Sequence, residues 1–133
     1  MVIEDELSLR LYFSLEPFEA RAWDANYLFG EDVSNRFPST DFELQEETKC
    51  YATGRYTAAV FHLMRVLEVG LAALAANIGV DPENRTWEAI LNGMQTKLNE
   101  NTQTKPAGWK ETEQFYSELM AHFRSTKNAW LAT

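Results

Sequence analysis

Gly54-Arg-Tyr-Thr-Ala-Ala-Val-Phe-His-Leu-Met-Arg-Val-Leu-Glu-Val-Gly-Leu-Ala-Ala-Leu-Ala-Ala-Asn-Ile78 decides the fold. The stretch reads as one helix, apolar almost all the way round. From Ala58 to Ala76 only His62, Arg65 and Glu68 can ionise. Such a helix is either buried in a bundle or spans a membrane. At about 1.5 Å per residue it would run roughly 37 Å. Ionisable groups near its middle oppose insertion, since a strong charge at the centre of a bilayer costs about 2.5–3.5 kcal/mol. We therefore expect the central helix of a soluble bundle. Tyr56, Val60, Leu63, Leu67, Leu71, Leu74 and Ile78 recur at spacings of three and four, a core-facing pattern. Gly70 and the alanines at 72, 73, 75 and 76 leave room for a neighbouring helix. Asn77, Gly79 and Pro82 end the helix.

Downstream, Asn84 or Thr86 opens a shorter helix over Trp87 to Asn99, with Ile90, Leu91, Met94 and Leu98 inward. Residues 99–108 are polar, hold Pro106 and Gly108, and read as a loop. The last helix starts at Trp109. Its seam is Trp109, Thr112, Tyr116, Leu119, Phe123, Thr126 and Trp130. Upstream, residues 3–14 suggest a short helix running toward Pro17. A second helix is expected from Pro17 to Phe29, with a stripe of Phe18, Ala22, Ala25 and Phe29 widened by Trp23 and Tyr27. Ser39 or Thr40 caps a third helix that ends near Gly54. Asp41, Glu43, Glu46 and Glu47 load its early part, where carboxylates complement the helix dipole. The expected architecture is all-α: an up-and-down bundle of four main helices with an N-terminal helical extension, in one domain over residues 1–133.

The chain's 133 residues suit a single domain. A chain of this size buries roughly two-thirds of its unfolded surface and needs no metal or disulfide to fold. Cys50 is the only cysteine, so no intramolecular disulfide is possible and a reducing cytoplasm is the expected compartment. The segment Met1 to Glu6 is acidic and no apolar run follows, so no secretory signal is expected.

The net charge of −8 is uneven. Residues 1–47 hold twelve acids against three bases, and residues 48–133 hold eight against nine. Lys and Arg contacts to phosphate supply most non-specific nucleic-acid affinity. The acidic balance therefore excludes coating of DNA, while a small RNA site on the more neutral C-terminal half stays open.

His62, Arg65 and Glu68 form a slanted stripe on one side of the central helix. It reads either as Glu68 fixing Arg65 for an anion or as a partly buried salt bridge that sets helix register. The salt bridge is the favoured reading. On the last helix, His122 and Arg124 stand with Lys127 and Asn128, and His122 reads as a surface or boundary histidine. Arg65, Glu68, His122 and Arg124 are the candidate site residues. Two histidines and one cysteine, with no His-x-x-x-His, Cys-x-x-Cys or Glu-x-x-His pair, give no expected metal site. Glu46-Glu47 and Glu111/Glu113 read as solvated faces. There is no glycine-rich phosphate loop, and no cofactor is expected. Cys50, with Lys49 as its basic neighbour, reads as an inert thiol.

The central stretch resembles the HEPN superfamily, in particular a bacterial branch of HEPN-like proteins. The likeness extends to Phe115-Tyr116-Ser117, to His122-Phe-Arg-Ser-Thr-Lys-Asn-Ala-Trp130 and to Glu16-Pro-Phe-Glu-Ala-Arg-Ala-Trp23. It implies a helical bundle, usually a dimer, from toxin–antitoxin, phage-defence or other conflict systems. Active members are metal-independent ribonucleases whose signature is Arg, a polar residue and, a few residues on, His, late in the C-terminal helix. There Arg stabilises phosphate charge and His moves a proton. In this chain Leu131 stands where the Arg would be, followed by Ala132 and Thr133. No catalytic residue carries over. The resemblance implies a non-catalytic, self-associating protein, a homodimer or the partner of an antitoxin-like protein. The alternative is a metal-independent ribonuclease of the same fold, either shortened or using Arg65, Glu68, His122 and Arg124 instead. A nucleotide pocket beside Arg65 is a third reading.

Overall fold

A computed structural model describes residues 2–26, 28–83, 85–100 and 108–132. The fold is all-α, and the described residues hold no strand. The helices are α1 (Val2–Ser8), α2 (Pro17–Trp23), α3 (Glu31–Arg36), α4 (Asp41–Ala52), α5 (Tyr56–Asn77), α6 (Trp87–Asn99) and α7 (Trp109–Leu131). A 3₁₀ turn, Pro38–Thr40, leads into α4. The chain forms two compact units, Met1–Val66 and Leu67–Thr133. Each takes half of α5.

In the first unit α2 packs on α4. Pro17 fixes the first turn of α2, and the Glu16 amide donates to Glu19 Oε2 at 2.8 Å. The helix stops at Trp23, short of the expected Phe29. Asp24 and Asn26 explain the stop, because their side chains compete for backbone hydrogen bonds and favour turns. Phe29 therefore lies outside the helix and is exposed, as are Phe18 and Trp23. Tyr27, expected to widen that stripe, lies outside the described residues. Helix α3 was not legible: six residues are too few for a period. Glu31 and Asp32 in its first turn complement the dipole. Thr40 does hold the N-cap position of α4, but its Oγ1 donates to the Phe37 carbonyl at 2.7 Å and caps nothing. The buried side chains of α4 are Leu44, Glu47, Thr48 and Ala52.

In the second unit the core is Leu71 and Ala75 of α5, Val80, Ile90, Leu91, Met94 and Leu98 of α6, and Tyr116, Met120 and Phe123 of α7. All four inward residues expected on α6 are buried. The helix is capped as expected at Thr86, whose Oγ1 accepts from the Ala89 amide at 3.2 Å. Asn84 and most of the expected 99–108 loop lie outside the described residues. Trp87 meets the Phe123 ring edge to face, 5.6 Å between centroids.

The pattern expected for α5 is only half right. Leu71 is buried, and Leu67, Leu74 and Ile78 pack against the core. Tyr56 and Val60 are exposed, and Ala59 and Ala75 are buried instead. A helix that is apolar all round has no polar face to fix its rotation, so a three-four pattern can be drawn on more than one side. By length and composition α5 could also cross a membrane.

The α4–α5 corner and the C-terminal end of α5 are each set by a glycine. Gly54 and Gly79 have φ of +72° and +78°. After Gly79 the Val80 amide returns to the Ala75 carbonyl at 2.9 Å, and the Gly79 amide donates to Ala76 at 3.1 Å. This Schellman closure drops the Val80 side chain into the core. A Gly79→Ala change puts a Cβ into the left-handed region, which costs roughly 1–2 kcal/mol. We expect a lower urea midpoint for that variant with an unchanged slope.

Candidate functional site

The polar cluster with the most defined geometry belongs to the first unit. Glu43 lies in the first turn of α4. Its Oε2 accepts from His62 Nδ1 and its Oε1 accepts from Arg65 Nε, both at 2.6 Å. One carboxylate thus holds two side chains that stand three residues apart on α5. The Glu43 pKa lies below its ordinary 4.5, chiefly through the His62 hydrogen bond, with Arg65 adding to it and burial opposing. An ionised Glu43 can only accept, so His62 Nδ1 is the donor of this bond. Arg65 is anchored through Nε while its side chain stays 55% exposed.

Glu47 follows Glu43 by one turn and is 7% exposed. Its Oε2 is buried and has no hydrogen-bond partner among the described residues. Burial pushes its pKa up, and the nearby His62 opposes that shift. The expected solvated face of Glu46-Glu47 is therefore corrected. Glu46 does pair with Lys49 across one turn of α4, 3.6 Å apart, but Glu47 points inward. The reason is the Leu44–Thr48–Ala52 line, which turns that side of α4 to the interior and carries Glu47 with it.

A raised carboxyl pKa stabilises the fold below the unfolded value and loses that contribution as pH rises through the folded one. The wild type therefore bears a buried-charge penalty at neutral pH that Glu47→Gln removes. The variant should gain stability relative to wild type between pH 4 and pH 7, measured by urea denaturation at both. An equal difference at the two pH values would show that Glu47 titrates normally.

The second unit holds another cluster. Arg124 donates from Nη1 to Glu88 Oε1 at 2.9 Å and from Nη2 to Asn92 Oδ1 at 3.1 Å. Lys127 donates to the other oxygen of Glu88. These bonds lower the Glu88 pKa, Lys127 first and Arg124 second. They tie α7 to α6 on a solvent-facing edge.

The four sequence candidates thus separate. Arg65 pairs with Glu43, in place of the expected Glu68. Glu68 and His122 are exposed, and Arg124 is a clasp between helices. Sequence reasoning missed Glu43, which it read only as a dipole-complementing acid. Its distance of nineteen positions from His62 carries no periodic signal. No group of three or more His, Cys, Asp or Glu among the described residues is placed to hold a metal ion. A cleft of about 140 Å³, lined by Ser34, Asp41, Gln45 and Thr48 among others, touches none of the candidates. No protein-family model, curated protein or solved structure matches the chain.

Proposed function

We propose that this chain is a non-catalytic, HEPN-like helical protein of the bacterial cytoplasm that works by self-association, as a homodimer. The observation that carries the reading is the imbalance of Met1–Val66. Among the described residues its buried hydrophobics are Leu44, Ala52 and Ala59. Against them, fifteen of the seventeen large exposed hydrophobics among the described residues fall in this unit. A contiguous aromatic row runs through them. Phe18 meets Tyr51 at 6.1 Å and Tyr51 meets Tyr56 at 5.7 Å between centroids. Exposed apolar surface on this scale marks an association site. The absence of Arg at position 131, where the resemblance calls for one, supports a non-catalytic role. A place in a toxin–antitoxin or phage-defence system follows from the same resemblance and belongs to the proposal.

The test is light scattering across a concentration series, beside an RNA cleavage assay without added metal. A dimer with no cleavage is the expected result. A monomer at all concentrations would sink the proposal. Cleavage lost in both Arg65→Ala and His122→Ala would replace it with a metal-independent ribonuclease.

A further inference from the structure

We propose that the cleft on the flank of α4 binds a small organic ammonium ion with a short carbon chain. The cleft has a volume of about 140 Å³ and lies wholly within Met1–Val66. Helix α4 contributes Asp41, Leu44, Gln45 and Thr48 to its wall. These residues recur at spacings of three and four on one side of the helix, so an occupant meets side chains and not the helix end. Helix α3 contributes Ser34, and the segment after α2 contributes Asn26. Ser34 is 9% exposed, yet its hydroxyl makes no hydrogen bond among the described residues. A buried hydroxyl left unpaired is costly, and most such groups find a partner. Thr48, buried on the same wall, does find one: its Oγ1 donates to the Gln45 carbonyl at 2.8 Å. Ser34 calls for a partner that enters the cleft.

The charge of that partner follows from Asp41. Among the described residues its carboxylate is the one charged group on the cleft wall, and it forms no ion pair. No Lys or Arg among them lines the cleft, so an anion would meet repulsion alone. The whole unit has the same sign, with twelve acids against six bases. A bare metal ion wants several oxygen ligands, and the described residues place no group of three His, Cys, Asp or Glu for one. An ammonium ion needs less. It donates three hydrogen bonds and accepts none. The Asp41 carboxylate, Ser34 Oγ and a side-chain amide oxygen of Gln45 or Asn26 supply three acceptors. Leu44, itself buried, gives the carbon chain an apolar surface. A cavity of about 150 Å³ holds a benzene ring, so the cleft suits an ion of about four to six non-hydrogen atoms. It shares no residue with the Phe18–Tyr51–Tyr56 row, and failure of the proposed dimer leaves it standing.

Propylammonium, 1-propanol and propionate share a short chain and differ in charge, and amide NMR of the full chain can follow all three. Propylammonium should shift the signals of Ser34, Asp41 and Gln45 with a dissociation constant of about 1 mM. Those of Leu91 and Leu98, in the other unit's core, should stay in place. 1-Propanol should bind at least about tenfold more weakly, because hydrogen bonds to a charged group are the stronger kind. Propionate should move nothing. Asp41→Asn should bring propylammonium down to the affinity of the alcohol; a melting curve checks that the variant is folded. Ser34→Ala should weaken propylammonium about three- to tenfold without lowering the melting temperature, since the lost hydroxyl holds no bond within the chain. A hydroxyl that served only the fold would move the melting temperature and spare the affinity. The proposal falls if 1-propanol or propionate binds as tightly as propylammonium. It falls if folded Asp41→Asn keeps the preference for the ammonium, or if Ser34→Ala leaves the affinity unchanged. It also falls if no signal moves at about 10 mM propylammonium, where a millimolar site would be nearly full.

Discussion

Leu91→Ala should destabilise the chain by about 2–5 kcal/mol, the cost of a large-to-small change in a core that only partly collapses around the void. Leu91 is 0% exposed and sits on α6 among Ile90, Met94 and Leu98, against core residues of α5 and α7. No water reaches it, and its neighbours come from three helices, so no single helix can shift to close the gap. Urea denaturation should show the midpoint fall at unchanged slope. Leu131→Ala, at an exposed position near the end of α7, should change stability by no more than about 0.5 kcal/mol. Equal effects at the two sites would mean that the α5–α6–α7 core is not the one that holds the fold.

The second large effect concerns the proposed dimer. Tyr51 is the middle ring of the Phe18–Tyr51–Tyr56 row. Tyr51→Glu removes an aromatic anchor and sets a charge in its place. An anchor of this kind contributes about 2 kcal/mol or more, so the dimer dissociation constant should rise about thirtyfold or beyond. Salt gives an independent readout. Met1–Val66 holds twelve acids and six bases, so two copies meeting through this unit repel each other. Added salt screens that repulsion and spares the apolar contact. Dimerisation should therefore tighten between about 0.05 and 0.5 M sodium chloride in sedimentation experiments. A dimer that loosens with salt would be held by ion pairs, and the aromatic row would not be its seam.

The second unit was more legible from sequence than the first, although Ala75, Val80 and Met120 of its core were not expected and Thr112 of the expected seam is exposed. Helices α6 and α7 carry one apolar stripe each over long polar-faced segments. Period alone therefore placed Ile90, Leu91, Met94 and Leu98, and much of the Tyr116–Phe123 seam. Helix α5 lacks that contrast. Its limits were legible from Gly54, Gly79 and Pro82, but its rotation was not. In Met1–Val66 the helices are short and most apolar residues stay exposed, so a pattern of hydrophobicity does not mark an interior. The pairing of Glu43 with His62 and Arg65 depends on how α4 and α5 meet. The Gly54 corner announces that two helices meet there, yet the facing side chains follow only from the packing. Glu47 could have been suspected. It lies within the stretch spanned by Leu44, Thr48 and Ala52, which marks that side of α4 as interior, although a carboxyl there ordinarily reaches for solvent.

The placement of the buried side chains also orders events during synthesis. The core that can hold itself together uses residues from Leu71 to Phe123. The aromatic-rich first unit therefore emerges from the ribosome well before that core can close. At about 5–20 residues per second this interval lasts several seconds. Through it the nascent chain presents Leu9, Leu11, Tyr12, Phe13 and Phe18 with nothing yet folded behind them. Its acidic side chains then act as a solubility device, since added Asp and Glu keep exposed chains apart. Neutralising several of them should lower soluble yield in cells while leaving the melting temperature of the purified protein almost unchanged, a defect of production and not of the finished fold.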